Sequence, residues 1–323
     1  MTLPADLQFK SINYTGLGQG PRLIVTGAVH GNETCGTVAI RRVMEEIDSG
    51  RLVVANGSVT FVPITNPLAY RLEQRSGDRN LNRNLFPNEA PQDFEDRIAN
   101  WLCPLLAQHD VLLDLHSFNA DSEPFVMVGP QDNDGPLQPF KHAAKERALA
   151  LRLGVRRFVD GWLATYGAGV QRRLSDASQL QTVLRYGVGT TEFMRSTGGY
   201  ALTLECGQHR DPQAPEVGYR AIMNTLAHLG IIDAPAPQPV ALDAIEALSM
   251  VVVHDKFDKA DSFSRTWRSF DPVDIGTEIG KRADGTPVLS ELAGRILFPD
   301  VNAGPNQEWY YLTRPNPDFA RAA

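Results

Sequence analysis

Long apolar runs are missing from this 323-residue chain. No uninterrupted stretch approaches the roughly 20 residues that a membrane-spanning helix needs, so a membrane is not an expected partner. Cysteine is scarce, with only Cys35, Cys103 and Cys206. An odd, sparse set without metal-type spacing offers no disulfide framework. A reducing, cytoplasmic setting is expected, with each thiol acting as a small buried apolar group. A basic surplus is missing too: 31 Lys and Arg against 38 Asp and Glu give a net charge of -7. With no positive excess to release counterions, nucleic acid is not an expected partner. A local cationic pocket stays compatible with that balance. The N-terminus, Met1 to Asp6, lacks the basic and apolar blocks of a secretory leader. Neither an internal repeat nor a low-complexity tract occurs.

What is present is ordinary for a globular protein. Apolar residues make up 42% and charged residues 21% of a chain long enough for one large domain or two modest ones. Leu7–Tyr14 reads as an edge strand, and Arg22–Val29 and Val59–Ile64 as further strands, the last closed by Thr65-Asn66-Pro67. Residues 71–90 are rich in Arg, Asn and Gly with little periodicity, and read as a long, functional loop. Helical spacing covers Phe94–Leu106, Pro139–Leu153 and Glu216–Leu229, with a helical turn at Thr190–Arg195. Short apolar strands fall at Val111–Leu115, Phe125–Val128, Val155–Val159 and Tyr200–Leu204. This alternation predicts an α/β fold with a mixed, largely parallel sheet flanked by helices. Ile232 to Pro239 is a linker by composition. Beyond it, strand-like pieces at Met250–Val253, Val273–Ile279, Val288–Leu289 and Gly294–Phe298 predict a smaller β-rich domain. The expected division is a catalytic domain over 1–232 and a C-terminal domain over 233–323.

The chemistry gathers where strands end. Leu23-Ile24-Val25 runs into Gly27-Ala28-Val29-His30-Gly31-Asn32-Glu33, and a helical pattern follows. Imidazole and carboxylate are both ordinary zinc ligands, and Gly31 gives the backbone freedom to bring them to one point. Asp114-Leu115-His116 places a second histidine at a strand end, and Thr203-Leu204-Glu205 places a glutamate at another. Each alone also fits a satisfied core histidine or a carboxylate emerging into solvent. Together they sit where open α/β sheets bind ligands, at the carboxyl ends of strands. Two histidines and one carboxylate form a common catalytic zinc set. Zinc brings the pKa of water down to about 7, within reach of a glutamate base. The developing oxyanion needs positive charge, which the loop bearing Arg71, Arg75, Arg79, Asn82 and Arg83 can supply. Guanidinium suits a carboxylate because it donates two parallel hydrogen bonds. Arg71 and Arg79 equally fit a solvated basic loop.

These residues, in this order and at these separations, resemble the succinylglutamate desuccinylase and aspartoacylase family of the wider zinc carboxypeptidase group. The match runs through His30 with Gly31-Asn32-Glu33, Asn82-Arg83, Asp114-Leu115-His116, and Glu205 with Gly207, over residues ~20 to 230. The resemblance implies one zinc ion on His30, Glu33 and His116. It makes Glu205 the general base and later the proton donor to the leaving amine, and Arg75 the group that polarises the scissile carbonyl. Asn82 and Arg83 become the pair that binds a substrate carboxylate. Arg195 aligns with a further carboxylate-binding arginine, and Tyr310 with a pocket tyrosine from the C-terminal domain. Asn80 departs from the pattern, since the family often has an aspartate there. A neutral residue at that position is expected to hold neighbouring cations less firmly.

The expected activity is a zinc-dependent hydrolysis that removes the acyl group from an N-acyl amino acid or a similar small amide bearing a carboxylate. A metallocarboxypeptidase or an esterase would use the same machinery, and a non-catalytic binder of metal or small molecules is a competing class. The base at Glu205 distinguishes an enzyme from a binder. His109, His142, His209, His228 and His254 receive no role. The sequence leaves a homo-oligomer open.

Overall fold

The structure, a computed structural model, describes residues 7–173 and 184–321. The leader-free reading of Met1 to Asp6 lies outside the described residues. Eleven strands form one mixed sheet, whose order runs from the N-terminal edge strand β1 (Ile12–Thr15) to a C-terminal edge at Pro272–Val273. Its centre is parallel. The strand β2 (Gly18–Gly27) lies between β3 (Asn56–Val62) and β4 (Val111–Phe118), and β4 is followed by β7 (Tyr200–Gln208).

Alternation of side chains along these strands sends apolar residues to both faces, and helices cover each face. Leu23, Val25, Leu113, Leu115, Leu202 and Leu204 pack under helices α1 (Cys35–Asp48) and Ala214–His228. Ile24, Leu112 and Ala201 point the other way, into a layer with Ile98, Leu102 and Met194. The helix Phe94–Leu106 starts where the sequence indicates, because Asp93 caps it by accepting from the Asp96 amide.

The sheet does not stop at residue 232. The strand β8 (Glu246–Lys256) pairs in parallel with β6 (Arg157–Asp160) and in antiparallel with β14 (Gln307–Pro315). A separate three-stranded sheet joins Ser262–Phe263, Glu278–Lys281 and Pro287–Leu289. Val273–Ile279, expected as one strand, is broken into Pro272–Val273 and Glu278–Lys281. Gly276 at φ +83 turns the chain between them. No helix among the described residues is long and apolar enough to cross a membrane.

Candidate functional site

His30 stands just past the end of β2. Ala28 holds a φ of +48, a conformation that costs L-residues about 1 kcal/mol or more. Gly31 is needed for a reason other than the conformational freedom expected of it, since its φ is not positive. A Cβ there would come within 1.9 Å of the Ala69 carbonyl carbon, so only glycine lets the helix Pro67–Leu72 pass this close. The Glu33 amide donates back to the His30 carbonyl at 3.1 Å, and this turn brings both side chains to one point.

His116 and Glu205 are aligned neighbours on the parallel pair β4 and β7. Asp114 lies two residues before His116 and therefore shares its face. The potential ligand atoms of His30, Glu33 and His116 all lie within 4.8 Å of one another, and the three residues are buried.

Hydrogen bonds fix how these groups face each other. Asn80 Oδ1 accepts from the Asn82 amide at 2.9 Å, so the 3.0 Å contact from His30 Nε2 is a donation by the ring. Burial, with Arg75 nearby, lowers the His30 pKa to about 4, so the ring is neutral at pH 7 and Nδ1 carries a lone pair. That lone pair lies 2.8 Å from Glu33 Oε1. Two acceptors do not hold that distance without a cation between them. His116 repeats the pattern, with Nδ1 2.8 Å from Glu33 Oε2 and Nε2 2.9 Å from Asp114 Oδ2. Burial pushes the His116 pKa down, but Asp114 and Glu33 on either side outweigh it and hold it well above its usual value. Burial raises Glu33, and the two histidines outweigh that and keep its carboxyl well below the usual range. The donor set therefore fits a divalent cation: two ring nitrogens and a carboxylate aimed at one point, with both outer nitrogens held from behind.

Asp114 is the strongest of these outer supports. It is wholly buried and accepts from Thr26 Oγ1, Thr190 Oγ1 and His116 Nε2. Thr190 in turn donates its amide to Asn82 Oδ1. The Asp114→Asn variant is expected to bind zinc about 10- to 100-fold more weakly, because the ring loses its anionic partner. Competition against a chelator measures it, and an unchanged affinity would remove Asp114 from this role.

Glu205 is buried, and its Oε2 has no hydrogen-bond partner. Burial pushes its pKa up to about 8, with His116 opposing and Glu33 adding to the rise. It faces a cavity of about 640 Å³ that the histidines, Arg75, Asn82 and Arg83 also line. Arg75 donates to Glu33 Oε1 at 3.0 Å, yet its side chain is 53% exposed. Arg83 lies over the Trp162 ring at 4.6 Å and donates to the Asn82 carbonyl. Asn82 Oδ1 is committed to Thr190, which leaves its amide nitrogen for a ligand.

Several expectations need correction. Arg79 is not solvated: it pairs with Asp93 and Asp96 and donates to the Arg83 carbonyl, which stiffens the loop. Asn80 has a task beside the one weighed for it: its side-chain carbonyl accepts from the His30 ring. Tyr310 does not line the cavity but stacks on His254 at 4.7 Å, because adjacent residues of β14 point to opposite faces. Tyr311 lines it instead.

Arg195 reaches the cavity wall but is not free to take a substrate carboxylate. It donates Nε and one terminal nitrogen to Glu146 at 2.8 and 3.1 Å, and that same nitrogen to the Ala201 carbonyl. Its other terminal nitrogen lies 3.6 Å from Glu192, and the side chain is 3% exposed. Sequence reasoning missed Asp114, Thr190, Trp162, Tyr166 and His209 as parts of the site. Only Asp114 carried a signal, the spacing that places it on the His116 face. His209 lines the cavity and sets its Nδ1 2.8 Å from Ser117 Oγ.

Known proteins resemble this chain in sequence and in fold. The chain is 33% identical over 226 residues to an N-alpha-acetyl-L-2,4-diaminobutyric acid deacetylase of Halomonas elongata, a match covering 69% of this chain and 58% of that protein. This chain thus spans little more than half of that relative. The fold is similar to a succinylglutamate desuccinylase/aspartoacylase of Rhodobacter sphaeroides, with TM-score 0.72, 20% identity and coverage of 96% and 90%. It is also similar to the product-bound ectoine utilization protein EutE (DoeB) of Ruegeria pomeroyi, with TM-score 0.68, 19% identity and 97% of each chain covered. Residues 19–154 match the succinylglutamate desuccinylase/aspartoacylase catalytic domain, the family that the motifs of the chain also resemble.

Proposed function

We propose that the protein is a zinc-dependent amidohydrolase that removes the acyl group from an N-acyl amino acid. The observation that carries this reading is Glu205. A buried carboxyl with an unpartnered oxygen lies on the strand beside His116 and faces the cavity. A protein that only bound metal would have no use for a base there.

His30 Nδ1, Glu33 and His116 Nδ1 would hold one zinc ion. When bound, zinc supplies a Lewis acid that polarises a carbonyl and acidifies water. Glu205 takes the proton of the attacking water and returns it to the leaving nitrogen. Its raised pKa suits both halves of that exchange, because a carboxyl near neutrality gives a proton as readily as it takes one. The exposed face of Arg75 donates to the oxyanion. The Asn82 amide and the Arg83 guanidinium hold the substrate carboxylate, with Arg83 kept in place by the Trp162 ring.

Residues 233–323 would cap this catalytic part. The wall contributed by Phe298, Asp300, Glu308 and Tyr311 supports that division of labour and favours small amides over peptides. The activity named for the Halomonas elongata relative, removal of an acetyl group from an amino acid, supports the same reaction class. Free, buried thiols at Cys35, Cys103 and Cys206 suit a reducing cytoplasm.

The test is amine release by the zinc-loaded protein from N-acyl amino acids that differ in acyl chain and side chain. Turnover of at least one, lost on removing the metal with a chelator and regained on adding zinc, is the expected result. Silence across the panel with zinc bound stoichiometrically would overturn it.

A further inference from the structure

The cavity holds one donor to which acid–base chemistry and carboxylate capture give no task. His209 lines the cavity, half-buried, and the sheet is built to hold it there. Between the pairs His116–Glu205 and Phe118–Gln208 the register advances two residues on β4 and three on β7. Gly207 takes up the extra residue at φ +135, a conformation open to glycine. The His209 amide then donates to the Phe118 carbonyl at 3.0 Å. The ring is fixed as well, with Nδ1 2.8 Å from Ser117 Oγ. Ser117 is buried, and its own amide donates to Glu33 Oε2 at 3.2 Å, which ties the pair to the metal position.

The place of the ring proton follows from the same contacts. Burial lowers the His209 pKa, so at pH 7 the ring is neutral, with one donor and one acceptor. The Ser117 hydroxyl has a single hydrogen, and Nδ1 is its only nitrogen or oxygen partner among the described residues. Its other neighbour, the Cys35 sulfur, is a weak acceptor. A proton on Nδ1 would leave the hydroxyl hydrogen buried without a good acceptor. With the hydroxyl donating to Nδ1, both groups are paired and the ring proton sits on Nε2. That nitrogen has no partner among the described residues, and the ring faces the cavity.

Strand parity sets what this donor meets. Leu113 and Leu115 pack under α1 and the helix Ala214–His228, and Ser117 shares their face. Asp114 and His116 share the other face, where Asp114 accepts from Thr190 and Thr190 donates to Asn82. Asn82 with Arg83, and Ser117 with His209, thus approach the metal position from opposite faces of the sheet. An amide whose carboxylate is held by Asn82 and Arg83, with its carbonyl at the metal position, extends its acyl chain away from them, toward His209.

We infer that His209 Nε2–H binds the acyl chain and selects acyl groups that carry an oxygen acceptor over alkyl chains of the same shape, with Ser117 as the positioning residue that holds the ring tautomer. The inference rests on the deacylase reading for the orientation of the substrate, whereas the tautomer stands without it. Two isosteric pairs, built on the amino acids of the panel above, test it: hydroxyacetyl against propanoyl, and 3-methoxypropanoyl against pentanoyl. With the zinc-loaded full chain, kcat/KM is expected to be about tenfold higher for the oxygen-bearing member of at least one pair, because the alkyl chain leaves the donor unpaired. His209→Leu is expected to bring that ratio toward one, and His209→Gln, which keeps an N–H, to retain part of it. Comparing ratios between parent and variants cancels the effect of the oxygen on the amide's own reactivity.

Nitrogen-15 spectra of the histidine rings are expected to show His209 as the Nε2–H tautomer in the parent protein and as a mixture in Ser117→Ala. An Nδ1–H tautomer in the parent would overturn the inference, as would a ratio near one or a ratio that His209→Leu leaves unchanged. If no compound is turned over, calorimetry with the zinc-loaded Glu205→Gln protein separates the readings. Tighter binding of the oxygen-bearing member, lost on adding His209→Leu, would leave the acyl preference standing and overturn the deacylase. Equal binding within both pairs, or none, would overturn the acyl preference.

Discussion

Replacing Glu205 by Gln is expected to lower kcat by about 10²- to 10⁴-fold, the usual contribution of a positioned acid or base. Zinc content is expected to stay at that of the parent protein, because Glu205 is not among the converging ligand atoms. The same substitution is expected to stabilise the metal-free protein, and more so as pH rises. Glu205 is a buried carboxyl whose pKa in the fold is about 8, against 4.5 for an ordinary glutamate. Below the lower value both folded and unfolded chains hold the proton, and burial of the neutral acid costs little. Between the two values the fold keeps a proton that the unfolded chain releases, so stability falls as pH rises, by up to about 1.4 kcal/mol per pH unit. Above the upper value the fold carries a buried, poorly paired charge. Glutamine has the same shape and no charge to bury. The difference in Tm between variant and parent, measured with chelator present, is expected to widen from pH 5 to pH 8.5 and reach several degrees. A gap that does not change with pH would mean that Glu205 is no better buried than an ordinary surface acid, and a variant with full turnover would remove it from the mechanism.

The site is harder to read in the sequence than the fold is. Phe94–Leu106 was legible to the residue because its apolar spacing is local. The convergence of His30, Glu33, His116 and Glu205 was legible from one rule, that parallel strands present their carboxyl ends at one edge. What escaped depends on partners far away in the chain. Arg195 looks like a ligand-binding arginine until Glu146, 49 residues earlier, is seen to occupy it. Tyr310 and Tyr311 differ only in strand parity, and parity needs a register that no short motif fixes. The strand Gln307–Pro315 was missed because it is mostly buried, so Trp309 to Thr313 shows no alternation of apolar and polar residues. The helix Trp162–Arg173 was missed because Gly167 and Gly169 weaken its propensity. It holds there by tertiary contacts, among them the Thr165 hydroxyl donating to the Met250 carbonyl. That helix supplies the ring under Arg83, so the missed element is part of the site.

Zinc uptake by the metal-free protein at pH 7 is expected to release about one proton, and His116 is its source. The ring is clasped between Asp114 and Glu33, which hold its pKa well above the usual value, so without metal it is an imidazolium. His30 contributes no proton, since burial keeps it neutral down to about pH 4. A ligand nitrogen must give up its proton to coordinate. Apparent zinc affinity is therefore expected to rise about tenfold per pH unit for as long as His116 stays protonated in the metal-free state. Calorimetric titrations in buffers of different ionisation enthalpy measure the proton directly, and heats that do not depend on the buffer would show that His116 is already neutral. The imidazolium also stabilises the metal-free fold. A raised pKa gives stability that is fully present below the unfolded value and is lost as pH rises through the folded one. Stripping the metal is thus expected to cost most at alkaline pH, where His116 no longer bridges two carboxylates and Glu205 becomes charged. His116→Ala is expected to abolish zinc binding at every pH. It also leaves Asp114 and Glu33 facing each other without a cation between them, so the variant is expected to unfold at a lower temperature than the metal-free parent.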